Sequence, residues 1–141
     1  MCGICGIYNE KNMLAVTAML ESIRHRGPDS FSTVLFGNHS LGECGLNIVS
    51  SETDILPVLD GQDHIALLFN GEIYNYQDIK NQLSKDGYTF TSNTDYEILI
   101  PLYRKYKRDF VKYLKGMFAI VIIDQDQICL LYTSPSPRDR S

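Results

Sequence analysis

The chain has 141 residues, 44% of them hydrophobic and 21% charged, which suits one compact folded domain and excludes a disordered chain. A formal net charge of -4 leaves no excess of cations for phosphates, and the basic run from Arg104 to Arg108 is short, so nucleic acid is not an expected partner. No segment reaches the roughly 18 consecutive apolar residues of a membrane span, and the N-terminus lacks a basic segment followed by an apolar one, so a cytoplasmic protein that stays off the membrane is expected.

In chain order, Gly3 to Tyr8 is short, apolar and bounded by Asn9, as a buried strand should be. Val16, Met19, Leu20 and Ile23 recur at helical spacing and predict an amphipathic helix that ends before the loop from Arg24 to Asp29. Two strand-like segments follow, Phe31 to Phe36 and Ser40 to Val49. His64 to Phe69 and Glu72 to Asn75 flank the pair Asn70-Gly71, which by itself signals a hairpin with a type I′ turn. A helix from Gln77 to Asp86 carries Ile79 and Leu83 on one face and ends at Gly87. Thr94 and Glu97 have capping-box spacing at the start of another helix, whose buried side is Ile98, Leu102 and Tyr106. Pro101 removes a backbone donor there and predicts a kink. Met117 to Asp124 and Ile128 to Tyr132 complete a last hairpin, and the mixed order of strands and helices predicts an α+β fold. Residues 133–141 carry no periodicity and are expected to be an irregular tail outside a domain of residues 1–132.

The four cysteines are Cys2, Cys5, Cys44 and Cys129. Cys2 and Cys5 have the spacing of half a zinc site, but no second pair follows, so no metal is expected. Cys5, Cys44 and Cys129 read as small apolar side chains, since disulfides are disfavoured in the cytoplasm. Cys2 differs by position. Removal of the initiator methionine, normal when the second residue is small, leaves a thiol and a free α-amine on one residue. With pKa values of about 8.5 and about 8, the amine can take the thiol proton without a separate histidine. A buried small residue at a strand start is the plainer reading of the same position.

Five blocks in order resemble the class II glutamine amidotransferase domain of asparagine synthetases over nearly the whole chain to about Tyr132. They are Met1 to Ile4, Arg24 to Asp29, Phe69 to Asn75, Asn93 to Glu97 and Leu114 to Ala119. The resemblance implies the N-terminal nucleophile hydrolase fold, a four-layer αββα sandwich of two antiparallel sheets. It implies that Cys2 attacks the glutamine side-chain amide, forms a thioester with loss of ammonia, and is released by water. Asn70 and Gly71 match the side-chain amide and backbone N–H that stabilise the oxyanion, where losing one donor typically costs about 3 to 4 kcal/mol of barrier. Asp95, with Glu72 beside it, matches the group that binds the substrate ammonium, and Ile48 and Val49 join them as substrate-binding positions. Without the family, Asp95 is an ordinary first-turn acid favoured by the helix dipole. Arg26 and Gly27 match the loop around the nucleophile, while Arg24 and His25 are structural.

Two departures stand out. Where the family shows a Leu-Gly-His-x-Arg-Leu-Ser-Ile pattern, this chain has Leu41 to Ile48 with Gly45 in place of the arginine that clamps the substrate carboxylate. The chain also lacks the larger ATP-using domain with its Ser-Gly-Gly-x-Asp-Ser loop, so a fragment is expected. No cofactor is then expected in these residues, and ATP and Mg²⁺ belong to the missing synthetase domain. Expected partners are glutamine, that synthetase domain of the same full-length chain, and a second copy in a homodimer. The competing readings are a glutaminase serving a sugar or another acid acceptor, and a catalytically silent domain that senses glutamine.

Overall fold

The structure, a computed structural model, describes residues 2–45, 57–62 and 64–133. Its elements are β1 (Gly3–Ile7), α1 (Met13–Ser22), β2 (Ser30–Phe36), β3 (His39–Gly45), β4 (Val58–Asp60), β5 (Ile65–Ile73), α2 (Tyr76–Lys85), α3 (Leu99–Tyr106), β6 (Gly116–Asp124) and β7 (Gln127–Thr133). Short 3-10 turns span Arg24–Arg26, Asp95–Ile98 and Lys107–Tyr113. One sheet has the order β1-β3-β2 and the other β4-β5-β6-β7. The chain forms two compact units, Met1–Asn70 with Ile120–Leu130 and Gly71–Ala119 with Leu131–Ser141.

In the first unit β3 is the middle strand, antiparallel to both neighbours, with Gly3 opposite Cys44 and Ser30 opposite Gly45. Alternation sends its residues to two faces. Leu41 packs with Ala66, Leu68 and Ile123, so the two sheets meet across an apolar layer completed by Ile4, Val34, Phe36 and Val121. Cys44 faces the other way, onto Val16 and Leu20 of α1. The helix comes close because β3 offers no side chain there: a Cβ on Gly42 would lie 2.6 Å from Val16 Cγ1. Three layers result, α1 over one sheet over the other. Asn12 starts α1 by accepting a hydrogen bond from the Ala15 N–H. His39 is buried between turns, accepting from the Asn9 N–H at 2.9 Å and stacking on Tyr8 at 4.6 Å.

In the second unit Tyr103 and Phe110 pack edge to face, and Leu83, Ile98, Leu99 and Leu102 are also buried. The side chain of Asn75 ties two loop ends together, donating to the Tyr113 carbonyl and accepting from the Lys115 N–H. Gly87 has φ +96, and the Gly87 and Tyr88 N–H groups bond back to the carbonyls of Ser84 and Leu83, a Schellman ending just beyond the cap residue Asp86.

Four local expectations change. Asn70-Gly71 is not a hairpin turn: β5 runs unbroken from Ile65 to Ile73, and only Gly71 of the pair has positive φ, at +138. The glycine is required by close approach, since a Cβ there would lie 2.1 Å from the Met117 carbonyl oxygen. Thr94 and Glu97 form no capping box: Glu97 accepts from the Thr91 and Ser92 N–H groups at 2.6 and 3.0 Å and pairs with Lys80. Pro101 occupies the first turn of α3 rather than the interior of a helix begun at Thr94. Met19 is exposed rather than on the buried face of α1. Among regular elements, β4 was not foreseen, β3 accounts for the start of the segment from Ser40 to Val49, and β7 takes in Thr133. Leu46 to Val49 and the tail from Ser134 lie outside the described residues.

Among the described residues Glu43 is the one buried acidic side chain, 8% exposed on the inner face of β3. Burial pushes its carboxyl up to about 7 from an ordinary 4.5. A raised carboxylate pKa means that the stability Glu43 contributes is complete below pH 4.5 and is lost as pH rises through about 7. Thermal melts should therefore show the wild type losing stability relative to Glu43→Gln between pH 5 and pH 8; a constant difference would remove the burial argument. For Gly71→Ala, urea denaturation should show a loss of at least about 1–3 kcal/mol. Gly61→Ala, with nothing within 4 Å of the added Cβ, should stay within about 0.5 kcal/mol.

Candidate active site

Cys2 stands just before β1 as a half-buried free thiol. The pairing of Gly3 with Cys44 brings it to the end of β3. The 3-10 turn that follows α1 then closes over it, with Arg26 Nε donating to the Cys2 carbonyl at 3.4 Å. This turn is held by backbone packing: a Cβ on Gly27 would lie 2.6 Å from the Gly45 Cα, and the Asp29 N–H donates to the Gly45 carbonyl at 3.1 Å. Arg26 thus lies on the Cys2 backbone and Gly27 on the strand beneath. Arg24 instead pairs with Glu21 and lies over the Phe31 ring at 5.1 Å, on the outside.

Gly45 is the floor of this corner. A Cβ on it would lie 3.0 Å from Glu43 Oε1, 3.0 Å from Ser30 Oγ and 3.5 Å from Cys2 Sγ. Thiol, carboxyl and hydroxyl therefore converge on the space above one stretch of bare backbone. Glu43 and Ser30 were not among the sequence candidates. The available signal was a carboxylate two residues before Gly45 in a strand whose other residues are small, apolar or neutral, because i and i+2 share a face. Behind the sheet, burial raises the Cys44 thiol most, with smaller contributions from Glu43 and Cys2, and Cys5 is pushed up to about 11, first by burial and then by Cys44. Both are poor thiolates at neutral pH.

The second unit holds another group of predicted residues. Gly71, Glu72 and Asp95 line one open recess together with Ile73, Thr94 and Tyr96. Asp95 is fixed there by the Ile73 N–H, which donates to Oδ2 at 2.7 Å. Its carboxyl is raised, first by burial and to a smaller degree by the neighbouring charge of Glu72, while backbone N–H groups oppose the rise. Two carboxyls on one recess suit a cationic group. Asn70 precedes Gly71 on β5 and is half-buried. Ile48 and Val49 lie outside the described residues. Among the described residues no three His, Cys, Asp or Glu side chains form a group able to hold a metal ion, and no helix is long and apolar enough to cross a membrane.

Comparison with known proteins gives these features a context. Residues 1–140 match the family model described as a glutamine amidotransferase domain. The chain is 36% identical over 145 residues to asparagine synthetase (glutamine-hydrolyzing) 1 of Bacillus subtilis strain 168, covering 97% of this chain and 23% of that protein. It is 38% identical over 124 residues to amidase chry2 of Gibberella zeae, covering 86% of this chain and 18% of that one. Asparagine synthetase B of Escherichia coli K12 is 30% identical over 90% of this chain and 24% of its own length. The chain thus spans about a quarter or less of these curated relatives. Among solved structures, glutamine phosphoribosylpyrophosphate amidotransferase from B. subtilis superposes with a TM-score of 0.76 at 18% identity, over 92% of this chain and 36% of that one. That likeness bears out the expected α+β fold of two antiparallel sheets. With the family match running through nearly every residue, the chain belongs to the glutamine amidotransferase domain family.

Proposed function

We propose that this chain hydrolyses glutamine to glutamate and ammonia as the glutaminase part of an asparagine synthetase. The observation that carries the reading is the corner around Cys2: a free thiol at the second residue, its carbonyl held by Arg26, in a chain of the glutamine amidotransferase family. Once Met1 is removed, the α-amine of Cys2 takes the thiol proton and the thiolate attacks the side-chain amide carbon. The Asn70 side-chain amide and the Gly71 N–H stabilise the oxyanion. The proton passes from the ammonium of Cys2 to the leaving nitrogen, ammonia departs, and water hydrolyses the thioester. Glu72 and Asp95 hold the substrate ammonium, with Ile48 and Val49 completing the substrate-binding positions.

The acceptor lies with the rest of a longer protein. Matches to asparagine synthetases favour aspartate amidation by a synthetase domain of the same full-length chain, which is where ATP and Mg²⁺ would act. A cytoplasmic location and a homodimer complete this reading. The tail from 133 is assigned no part in the reaction. A second reading, a glutaminase serving another acceptor, is favoured by the 38% identity to a relative named as an amidase.

Ammonia release from glutamine by the chain with a free Cys2 amine should disappear in Cys2→Ala while the melting temperature stays unchanged. Turnover that survives the substitution would show that another residue is the nucleophile. Asp95→Asn keeps an acceptor for the Ile73 N–H and removes the charge, so KM for glutamine should rise about tenfold with a smaller change in kcat. An unchanged KM would remove Asp95 from substrate binding.

A further inference from the structure

Two charged groups that the reaction above does not use hold the loop that leads into Asp95. Residues 88–94 form no regular element between α2 and the 3-10 turn at Asp95–Ile98, yet the backbone of Ser92 is gripped on both sides. Its N–H donates at 3.0 Å to Glu97 Oε1, which also accepts from the Thr91 N–H at 2.6 Å. Its carbonyl accepts from Lys80 Nζ, on α2, at 2.6 Å. We propose that Glu97, together with Lys80, is a positioning residue for the recess: it fixes where the Asp95 carboxyl stands, and thereby the preference for an amide donor that carries an α-ammonium group. This rests on the glutaminase reading, with Asp95 as the ammonium-binding group, and deepens it by naming what sets that group in place.

The grip reaches Asp95 from two directions. The Ser92 hydroxyl meets that of Thr94 at 2.8 Å and accepts from the Thr94 N–H at 3.2 Å, so holding Ser92 holds the residue before Asp95. From the other side, Glu97 and Asp95 belong to one 3-10 turn, which cannot rotate while Glu97 is bonded to two N–H groups upstream of it. Asn93, Thr94, Asp95 and Tyr96 line the recess and Glu97 does not, so Glu97 acts through Asp95 and not on a substrate. The ion pair is shielded: the Lys80 and Glu97 side chains, 3.6 Å apart, are 17% and 19% exposed, and Lys80 Nζ lies over the Phe90 ring. Burial opposes the charge on Glu97, but the Thr91 and Ser92 N–H groups, the Ser92 hydroxyl and Lys80 outweigh it and hold the carboxyl below its ordinary 4.5. Displacing Asp95 weakens its hold on a cation because charge-assisted hydrogen bonds require heavy atoms about 2.7–2.9 Å apart.

Binding separates this from a merely structural role. Isothermal titration of the full chain carrying Cys2→Ala would compare glutamine with glutaramate, the same amide acid without the α-ammonium group. Asp95→Asn should cut the preference for glutamine about tenfold, and Glu97→Ala, which releases both N–H groups, about as much. Glu97→Gln keeps an oxygen acceptor for them and should restore most of the preference. Lys80→Met frees the Ser92 carbonyl with little change in side-chain length and should cut the preference as well; it carries the test if Glu97→Ala does not fold. If Asp95→Asn cuts the preference while the folded Glu97 and Lys80 variants weaken both ligands equally, or neither, the positioning role is overturned and Asp95 stands. If Asp95→Asn leaves the preference unchanged, or glutamine does not bind protein whose melt shows it folded, the underlying reading falls and the positioning role with it.

Discussion

The burial of β3 is the constraint on which the rest of the first unit depends. All seven of its residues are buried, with β1 and β2 on its edges, α1 on one face and the second sheet on the other. A strand covered on both faces has no freedom to slip, because a shift of one residue would exchange the faces and drive Cys44 into the sheet interface and Leu41 into the helix. Fixing β3 fixes the register of β1, and with it the place of Cys2 at the strand's end. The Cys2 thiol is positioned by a packing problem solved several residues away.

The same burial gives the corner its electrostatics. A carboxyl on a solvated strand would titrate in the ordinary range, but Glu43 lies between two sheets and is held near neutrality by desolvation alone. Gly45 adds a second constraint. Its Cβ position is already bounded by Glu43 and Ser30 at 3.0 Å, and Gly27 rests on its backbone. An arginine at this place would have to displace a carboxylate and a hydroxyl and disturb the turn that carries Arg26. Gly45 and Glu43 therefore form one local solution, in which a small residue and a buried acid occupy the position where the family pattern has a cation.

Where local sequence signals failed, a neighbour from elsewhere in the chain supplied what they had promised. Asn70-Gly71 has turn chemistry, yet β6 passes so close that the glycine serves backbone contact within a continuous strand. Glu97 has capping-box spacing, yet the N–H groups of Thr91 and Ser92 and the amine of Lys80 reach it first. Turn and cap propensities are worth about 1 kcal/mol, and a few tertiary hydrogen bonds or a close strand outweigh them.

By itself, the sequence determined the strands and helices whose apolar periodicity is strong, the Gly87 ending of α2, the α+β class and the blocks that mark the amidotransferase family, because these depend on residue spacing along the chain. It also marked Cys2, Arg26, Gly27, Glu72 and Asp95 as residues to place. Only the tertiary structure decided that Arg26 reaches the Cys2 carbonyl, that the Ile73 N–H anchors Asp95, that Gly71 yields to β6, and that Glu43 shares the thiol's corner. Those outcomes depend on desolvation and on distances of a few ångströms between residues far apart in the chain, and linear spacing does not encode either.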